Sequence, residues 1–256
     1  MIAERSPSED RWIVKPRPNS LARMRLFCFA VAGGNASAFT GWPDALPDDV
    51  EVCAIQFPGR QQRITEAPFT RLPLAIHALE RAIVPYLDLP FAIFGTCTGS
   101  LAGYEFAQRL SRVRAAQPAH LFVSCCRAPH LPDRDRPIHA LPEDQLWTEL
   151  DRLGGTPSIV SENPEMKALL SPLLRADFEL AETYHYREAL PLSCPITAFA
   201  GKHDMIVVAD EIAAWARHAT GPFRVEVLDG GHYLLDTASD QLLSAISSAL
   251  AAGLHV

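Results

Sequence analysis

Cys97 stands between two glycines in the run Gly95-Thr96-Cys97-Thr98-Gly99, a spacing typical of a catalytic nucleophile. The G-x-nucleophile-x-G pattern forms a sharp turn from a strand to a helix and holds its central residue in strained backbone geometry. The glycines are needed because a Cβ at either position would collide with the neighbouring strand or helix. Such a turn places the sulfur at a helix N-terminus, where the dipole and free N–H groups favour a thiolate. We therefore predict that Cys97 is a nucleophile.

A thiol nucleophile needs a base, and the base needs an acid that orients it. With a nucleophile on this kind of turn, the acid and then the histidine follow it along the chain. Of nine histidines, His232 follows the last predicted strand in a Gly-Gly-His loop, so we predict that it is the base. We expect His203 to be exposed, and His130, at a strand end, to be a weaker candidate for the cleft wall.

For the acid, we predict Asp204, which lies just beyond the predicted strand at residues 195–200. Ligands of open α/β sheets meet the carboxyl ends of the strands, which is where this residue falls. Asp229 is the competing candidate because it is close to His232 in sequence, but its context is typical of a turn.

Backbone N–H groups are expected to stabilise the oxyanion that forms when a carbonyl is attacked. One donor is predicted at Thr98, directly after the nucleophile. The other is predicted at Val31 or Ala32, in the loop after the first strand, where Gly33 and Gly34 allow a close approach.

Strand-like and helix-like segments alternate along most of the chain, which predicts an α/β fold with a mostly parallel sheet flanked by helices. Strands are predicted at 25–30, 50–56, 90–94, 120–124, 195–200 and 223–228, and helices at 72–87, 101–112, 209–218 and 239–252. From about 131 to 190 the signal is helical only, at 142–153, 164–170 and 173–186. We interpret this insertion as a lid on one α/β-hydrolase domain at 24–256, preceded by a flexible tail at 1–23.

The composition is that of a globular protein, with 48% hydrophobic and 21% charged residues. The net charge of −7 and the scattered Lys and Arg residues argue against a nucleic-acid surface. No run of about 18 apolar residues is present, and the polar start lacks the apolar core of a signal peptide. We therefore expect a cytoplasmic protein. The six cysteines show no metal-ligand spacing, and we read four as buried apolar residues.

The chain resembles the type II (editing) thioesterases of polyketide and nonribosomal peptide pathways, from about residue 26 to its end. The motifs that carry the resemblance are LFCF-x-x-AGG at 26–34, Gln56-Phe57-Pro58-Gly59-Arg60, the turn around Cys97, Arg127-Ala128-Pro129-His130, Leu153-Gly154-Gly155-Thr156-Pro157, Leu174-Arg175-Ala176-Asp177-Phe178, Tyr184-His185-Tyr186 and Gly230-Gly231-His232. Several independent motifs in the same order make the resemblance specific.

The resemblance implies hydrolysis of acyl groups from the phosphopantetheine arm of an acyl or peptidyl carrier protein. It also implies a Cys97–His232–Asp204 triad under a mobile helical lid. No metal or organic cofactor is expected, because the phosphopantetheine arrives on the partner, and we expect a monomer. A carrier protein is acidic around its modified serine, so a basic rim is expected, with candidates at Arg60, Arg63, Arg127 and Arg134.

Three departures from the family pattern surround the reacting centre. The family turn usually reads G-H-S-x-G, whereas here Thr96 and Cys97 occupy the second and third positions. The family loop after the first strand usually reads Phe-Pro-Tyr-Ala-Gly-Gly, whereas here Ala30 and Val31 replace the proline and tyrosine. Together these changes indicate altered chemistry.

Two reactions fit a cysteine at this position. Attack on a thioester gives another thioester, so the acyl group can be released to water or passed to another thiol, an amine or a hydroxyl. Aminoacyltransferases with a cysteine on this turn are functional analogues. A non-catalytic carrier-binding module would be expected to lack part of the triad, and the lid motifs disfavour a small-ester hydrolase.

Overall fold

The computed structural model describes residues 11–253 except residues 133 and 135. Its strands form one seven-stranded sheet in the order β1-β3-β2-β4-β5-β6-β7. The strands are β1 (Ile13–Val14), β2 (Met24–Phe29), β3 (Val50–Ile55), β4 (Phe91–Thr96), β5 (His120–Ser124), β6 (Ile196–Gly201) and β7 (Phe223–Leu228). Among the strands that the described residues form, only β1 runs antiparallel to its neighbour, β3, so the mostly parallel sheet predicted from the sequence is confirmed.

Helices cover both faces of the sheet. They are α1 (Leu72–Ile83), α2 (Thr98–Arg114), α3 (Glu143–Leu153), α4 (Ser158–Ser161), α5 (Pro164–Glu182), α6 (Ala209–Ala213), α7 (Leu234–Thr237) and α8 (Ser239–Gly253), with short 3-10 helices at Ala36–Phe39, Trp42–Asp44, Gln61–Arg63, Val84–Tyr86 and Ala214–His218. One face packs on α1 and α2 through residues such as Leu79 and Phe106, and the other on α8 through Leu242 and Ile246. Burial on both faces explains why β3 and β4 read as nearly continuous apolar runs.

The segment before β2 differs from the flexible tail expected at 1–23. Trp12 is only 6% exposed, and Ile13 and Val14 pair with Ile55 and Ala54. The guanidinium of Arg63 also lies over the Trp12 ring, 4.3 Å from its centroid. The expectation is therefore wrong for residues 12–14, because Trp12 is buried and Ile13–Val14 form an edge strand. Residues 1–10 lie outside the described residues.

The insertion between β5 and β6 is helical, as the sequence predicts, and has a small core of its own. Leu146, Trp147, Leu150 and Val160 pack there with side chains of α5. The break expected at residues 171–172 is absent, because α5 continues through Pro172 as a 19-residue helix. Packing on both sides of the proline, at Leu170 and Leu174, offsets the cost of the lost backbone hydrogen bond.

If the edge strand is part of the fold, Trp12→Ala will destabilise the protein. Loss of a buried tryptophan costs about 3 kcal/mol or more, which lowers Tm by roughly 6–12 °C in a chain of this size. Leu21→Ala is the control, because Leu21 is 83% exposed and its loss should leave Tm unchanged. Equal Tm values for both variants in calorimetry would show that residues 12–14 add no stability.

Candidate active site

Cys97 connects β4 to α2 with a φ of 51° and a ψ of −123°, a conformation that is strained for any residue with a side chain. Its N–H donates to the Ser124 carbonyl of the neighbouring strand at 2.8 Å, which anchors the turn. A Cβ on Gly95 would lie 2.3 Å from the Gly99 oxygen, so the helix can follow the strand this closely only with glycine there. The structure therefore contains the predicted strand–turn–helix geometry.

Asp204 and His232 meet at the carboxyl ends of β6 and β7. Nδ1 of His232 donates to Oδ2 of Asp204 at 2.9 Å, while Oδ1 accepts the N–H groups of Ile206 at 2.7 Å and Val207 at 3.0 Å. The His232 side chain is only 6% exposed and the Asp204 side chain only 2% exposed. The carboxylate is thus fixed on both oxygens and orients the imidazole.

The loops that carry these two residues are packed backbone to backbone. A Cβ on Gly201 would lie 2.2 Å from the Gly231 oxygen, so the loop after β6 requires glycine there. The His203 N–H also donates to the Gly230 oxygen at 2.9 Å. This contact sets the separation between Asp204 and His232.

His232 interacts with the nucleophile as well as with the acid. Burial lowers the pKa of His232, but hydrogen bonds to Asp204 and Cys97, together with their charges, outweigh burial and raise it to about 10. Burial raises the pKa of Asp204, but the hydrogen bonds from His232 and from the N–H of Val207 hold it below its usual value. At neutral pH the His232 imidazole is therefore protonated on both ring nitrogens, and it interacts with the Cys97 sulfur and the Asp204 carboxylate.

The predicted oxyanion donors are brought to the same end of the sheet. Thr98 is the first residue of α2, and the first N–H groups of a helix have no partner inside it. A Cβ on Gly99 would lie 2.4 Å from the Phe29 oxygen and 2.5 Å from the Ala30 oxygen. The chain that continues into Val31 and Ala32 therefore passes directly beside the start of α2.

The competing candidates form separate interactions. Asp229 accepts from Nε2 of His203 at 3.1 Å, and both side chains are about two-thirds exposed. Nδ1 of His130 lies 2.8 Å from Nε2 of buried His218, whose other ring nitrogen lies 3.0 Å from the Tyr104 hydroxyl. His130 thus belongs to a different network from that of the triad residues.

The expected basic rim is wrong at two of its four positions. Arg60 and Arg63 are only 7% and 4% exposed, because their guanidinium groups pair inside the protein with Asp177 and Glu66. Arg127 and Arg134 are more accessible, and both pair with Glu211 on α6. Sequence context does not reveal these partners, which are mostly distant along the chain.

The sequence interpretation missed Cys125, which directly follows β5. Its sulfur, a carboxylate oxygen of Asp204 and a ring nitrogen of His232 all lie within 4.8 Å of one another. Burial, with the adjacent charge of Asp204, raises the pKa of Cys125 to about 12. A metal would need the thiolate, and the Asp204 oxygens already accept hydrogen bonds, so these residues fit a metal poorly. The sequence feature that could have indicated Cys125 is its position at the end of β5, because β5 pairs with β4, the strand that leads to Cys97.

Tyr233 is the second residue that was missed, although it adjoins the predicted base. Its ring makes an edge contact with the His232 ring, with centroids 5.1 Å apart. A Cβ on Gly155, in the loop between α3 and α4, would lie 2.3 Å from the Tyr233 hydroxyl. The helical insertion therefore rests against the residue next to the candidate base.

Comparison with known proteins places the chain in a family. The thioesterase domain family model matches residues 24–250. Gramicidin S biosynthesis protein GrsT of Aneurinibacillus migulanus is 40% identical over 226 residues, 88% of each chain. The RedJ thioesterase from the prodiginine pathway of Streptomyces coelicolor has a TM-score of 0.85 at 37% identity, covering 89% of this chain and 91% of its own. BorB, the type II thioesterase from the borrelidin biosynthetic cluster, has a TM-score of 0.86 at 33% identity, covering 94% and 98%.

The chain belongs to the thioesterase domain family and is a thioesterase with the α/β-hydrolase fold. The resemblance to type II thioesterases that the sequence motifs indicate is confirmed. None of the helices within the described residues has the length and apolarity that a membrane crossing requires.

The raised pKa of His232 predicts how stability depends on pH. Because the value in the folded protein, about 10, exceeds the ordinary value near 6.5, the stabilisation is complete below about pH 6.5 and is lost as pH rises towards 10. The difference in free energy of unfolding between wild type and His232→Gln should therefore be largest near about pH 6 and shrink steadily above it. Urea denaturation across this range measures it.

His203→Gln is the control, since His203 is exposed and outside the triad. The assignment is contradicted if the His232→Gln difference stays constant over the same pH range.

Proposed function

We propose that this protein removes acyl groups from the phosphopantetheine arm of acyl or peptidyl carrier proteins in polyketide or nonribosomal peptide biosynthesis. The observation that carries the proposal is Cys97 on its strained turn, interacting with the His232–Asp204 pair. The similarity to RedJ and BorB, thioesterases of the prodiginine pathway and the borrelidin cluster, supports a role in such biosynthesis.

In the proposed first step, the Cys97 sulfur, whose proton His232 holds, attacks the thioester carbonyl carbon and forms a new C–S bond. The N–H groups of Thr98 and of Val31 or Ala32 stabilise the oxyanion. As the tetrahedral intermediate collapses, the bond to the pantetheine sulfur breaks and His232 gives its proton to that sulfur. The products are acyl-Cys97 and a free carrier thiol.

Water then attacks the carbonyl carbon of acyl-Cys97 and gives a proton to His232; the C–S bond breaks, His232 returns the proton to the Cys97 sulfur, and the acid is released. Acylation removes the negative charge of Cys97, which is one of the causes that raise the pKa of His232. The imidazole, which has given its proton to the pantetheine sulfur, therefore stays neutral more readily and can accept a proton from the attacking water, while Asp204 keeps it oriented. The mechanism uses only side chains and backbone N–H groups of this chain, without a cofactor.

Transfer to a second acceptor is the alternative, and the cysteine itself favours it. A thioester on Cys97 can be passed to another thiol with little change in free energy, or to an amine or hydroxyl. The residues Thr96, Ala30 and Val31 depart from the family pattern beside the same sulfur. Both reactions share the acyl-Cys97 intermediate and differ only in the acceptor.

We further propose that α3, α4 and α5 act as a lid over the acyl group. The contact between Gly155 and Tyr233 supports this role, because it places the insertion next to His232. We also propose that the protein is a monomer and that it works in the cytoplasm.

Intact-protein mass spectrometry with an acyl carrier protein tests the intermediate. Wild type should show an acyl adduct that Cys97→Ala lacks, whereas Cys194→Ala, which changes a buried cysteine, should keep it. Adding a second, empty carrier protein separates the reactions, since movement of the acyl group onto it supports transfer and free acid alone supports hydrolysis. Adduct formation on Cys97→Ala would overturn the assignment.

Asp204→Asn tests the acid. Loss of the carboxylate leaves the imidazole poorly oriented and should lower kcat by about 10²- to 10⁴-fold, as in enzymes with a comparable triad. Asp229→Asn is the matched control and should retain wild-type turnover of an acyl thioester. The reverse outcome would make Asp229 the acid.

A further inference from the structure

A buried ion pair joins the body of the protein to the lid helix. Arg60 lies in the loop after β3, and Asp177 lies on α5. Nη1 of Arg60 donates to Oδ2 of Asp177 at 2.9 Å, and Nη2 donates to Oδ1 at 2.7 Å. The side chains are only 8% and 11% exposed. Two parallel bonds of this kind fix orientation as well as distance.

Both partners also hold the loop after β2, which carries the proposed oxyanion donors. The Gly33 N–H donates to Oδ2 of Asp177 at 2.7 Å, and Nη1 of Arg60 donates to the Gly34 oxygen at 2.9 Å. The Gly34 N–H in turn donates to the Val31 oxygen at 2.8 Å. The pair thus holds the end of the short turn in which Val31 lies.

The lid helix also packs against this loop. Gly33 has a φ of 73°, and a Cβ there would lie 2.6 Å from Cδ2 of Leu174. Leu174 and Asp177 are three residues apart on α5, so they share one helix face. A movement of α5 away from the body would therefore remove both the packing and the hydrogen bond at Gly33.

We infer that Arg60 and Asp177 are positioning residues that hold the oxyanion loop in place only while the lid helix is seated on it. The inference rests on the proposed function. Oxyanion donors act only when they are held in place before the carbonyl is attacked. The seating of α5 is thereby coupled to catalysis at Cys97, although neither charged group touches the reacting atoms.

Asp177→Asn tests the inference, with Glu179→Gln as the matched control. Glu179 lies on the same helix and pairs with Arg71 of the body in a more exposed position. We measure turnover of a short-chain acyl N-acetylcysteamine thioester and, separately, alkylation of Cys97 by iodoacetamide, which forms no oxyanion. Asp177→Asn should lower kcat by roughly 10- to 100-fold with little change in KM. This loss is smaller than the loss expected when an oxyanion donor is removed completely, because the loop is displaced but its N–H groups remain. Its alkylation rate should match wild type.

Hydrogen exchange supplies a readout that does not depend on turnover. Exchange in a peptide covering residues 31–34 should rise in Asp177→Asn and stay at the wild-type level in Glu179→Gln. Arg60→Lys keeps the charge but loses the paired geometry, so it should reproduce the kcat loss in part.

A wild-type kcat in Asp177→Asn would overturn the inference. Equal falls in the turnover rate and in the alkylation rate of Cys97 would also overturn it, because they indicate a general loss of structure. The proposed function fails differently, through a wild-type protein that forms no acyl-Cys97. In that case unchanged exchange at residues 31–34 in Asp177→Asn would still refute the positioning role.

Discussion

The reacting centre depends on how closely the start of α2 approaches the end of β2. Gly99 lies so near the carbonyl oxygens of Phe29 and Ala30 that no Cβ fits between them. This approach accompanies the strained backbone of Cys97 and brings the first N–H groups of α2 beside the loop at Val31. Asp204 and His232 are brought together by a second close approach, between Gly201 and Gly231.

Much of this arrangement is predictable from the sequence because its signals are local. Most of the parallel strands are short and largely apolar, and the residues that follow them stand at one edge of the sheet. This local pattern is the basis on which the sequence predicts Cys97, Asp204 and His232 as site residues. The burial of Arg60 could not be predicted, since its partner is 117 residues away. Trp12 and the continuous α5 depend in the same way on distant packing, which outweighs local propensity.

Two cysteines in one site illustrate how surroundings decide chemistry. The Cys97 sulfur interacts with a protonated imidazole at the start of a helix. The Cys125 sulfur is buried beside the Asp204 carboxylate, and both features raise its pKa to about 12. At neutral pH Cys125 is therefore a neutral thiol beside Asp204, and a neutral thiol is a poor nucleophile.

The two edges of the sheet offer little to another strand. β1 is two residues long and is followed by Pro16 and Pro18, which have no N–H to donate, and β7 carries Arg224 and Glu226 on the opposite edge. Charges and prolines at sheet edges discourage the strand pairing that leads to aggregation. Within the described residues, both edges of the sheet are therefore closed to strand exchange, so a partner has to be recognised through side chains and loops and not by extension of the sheet.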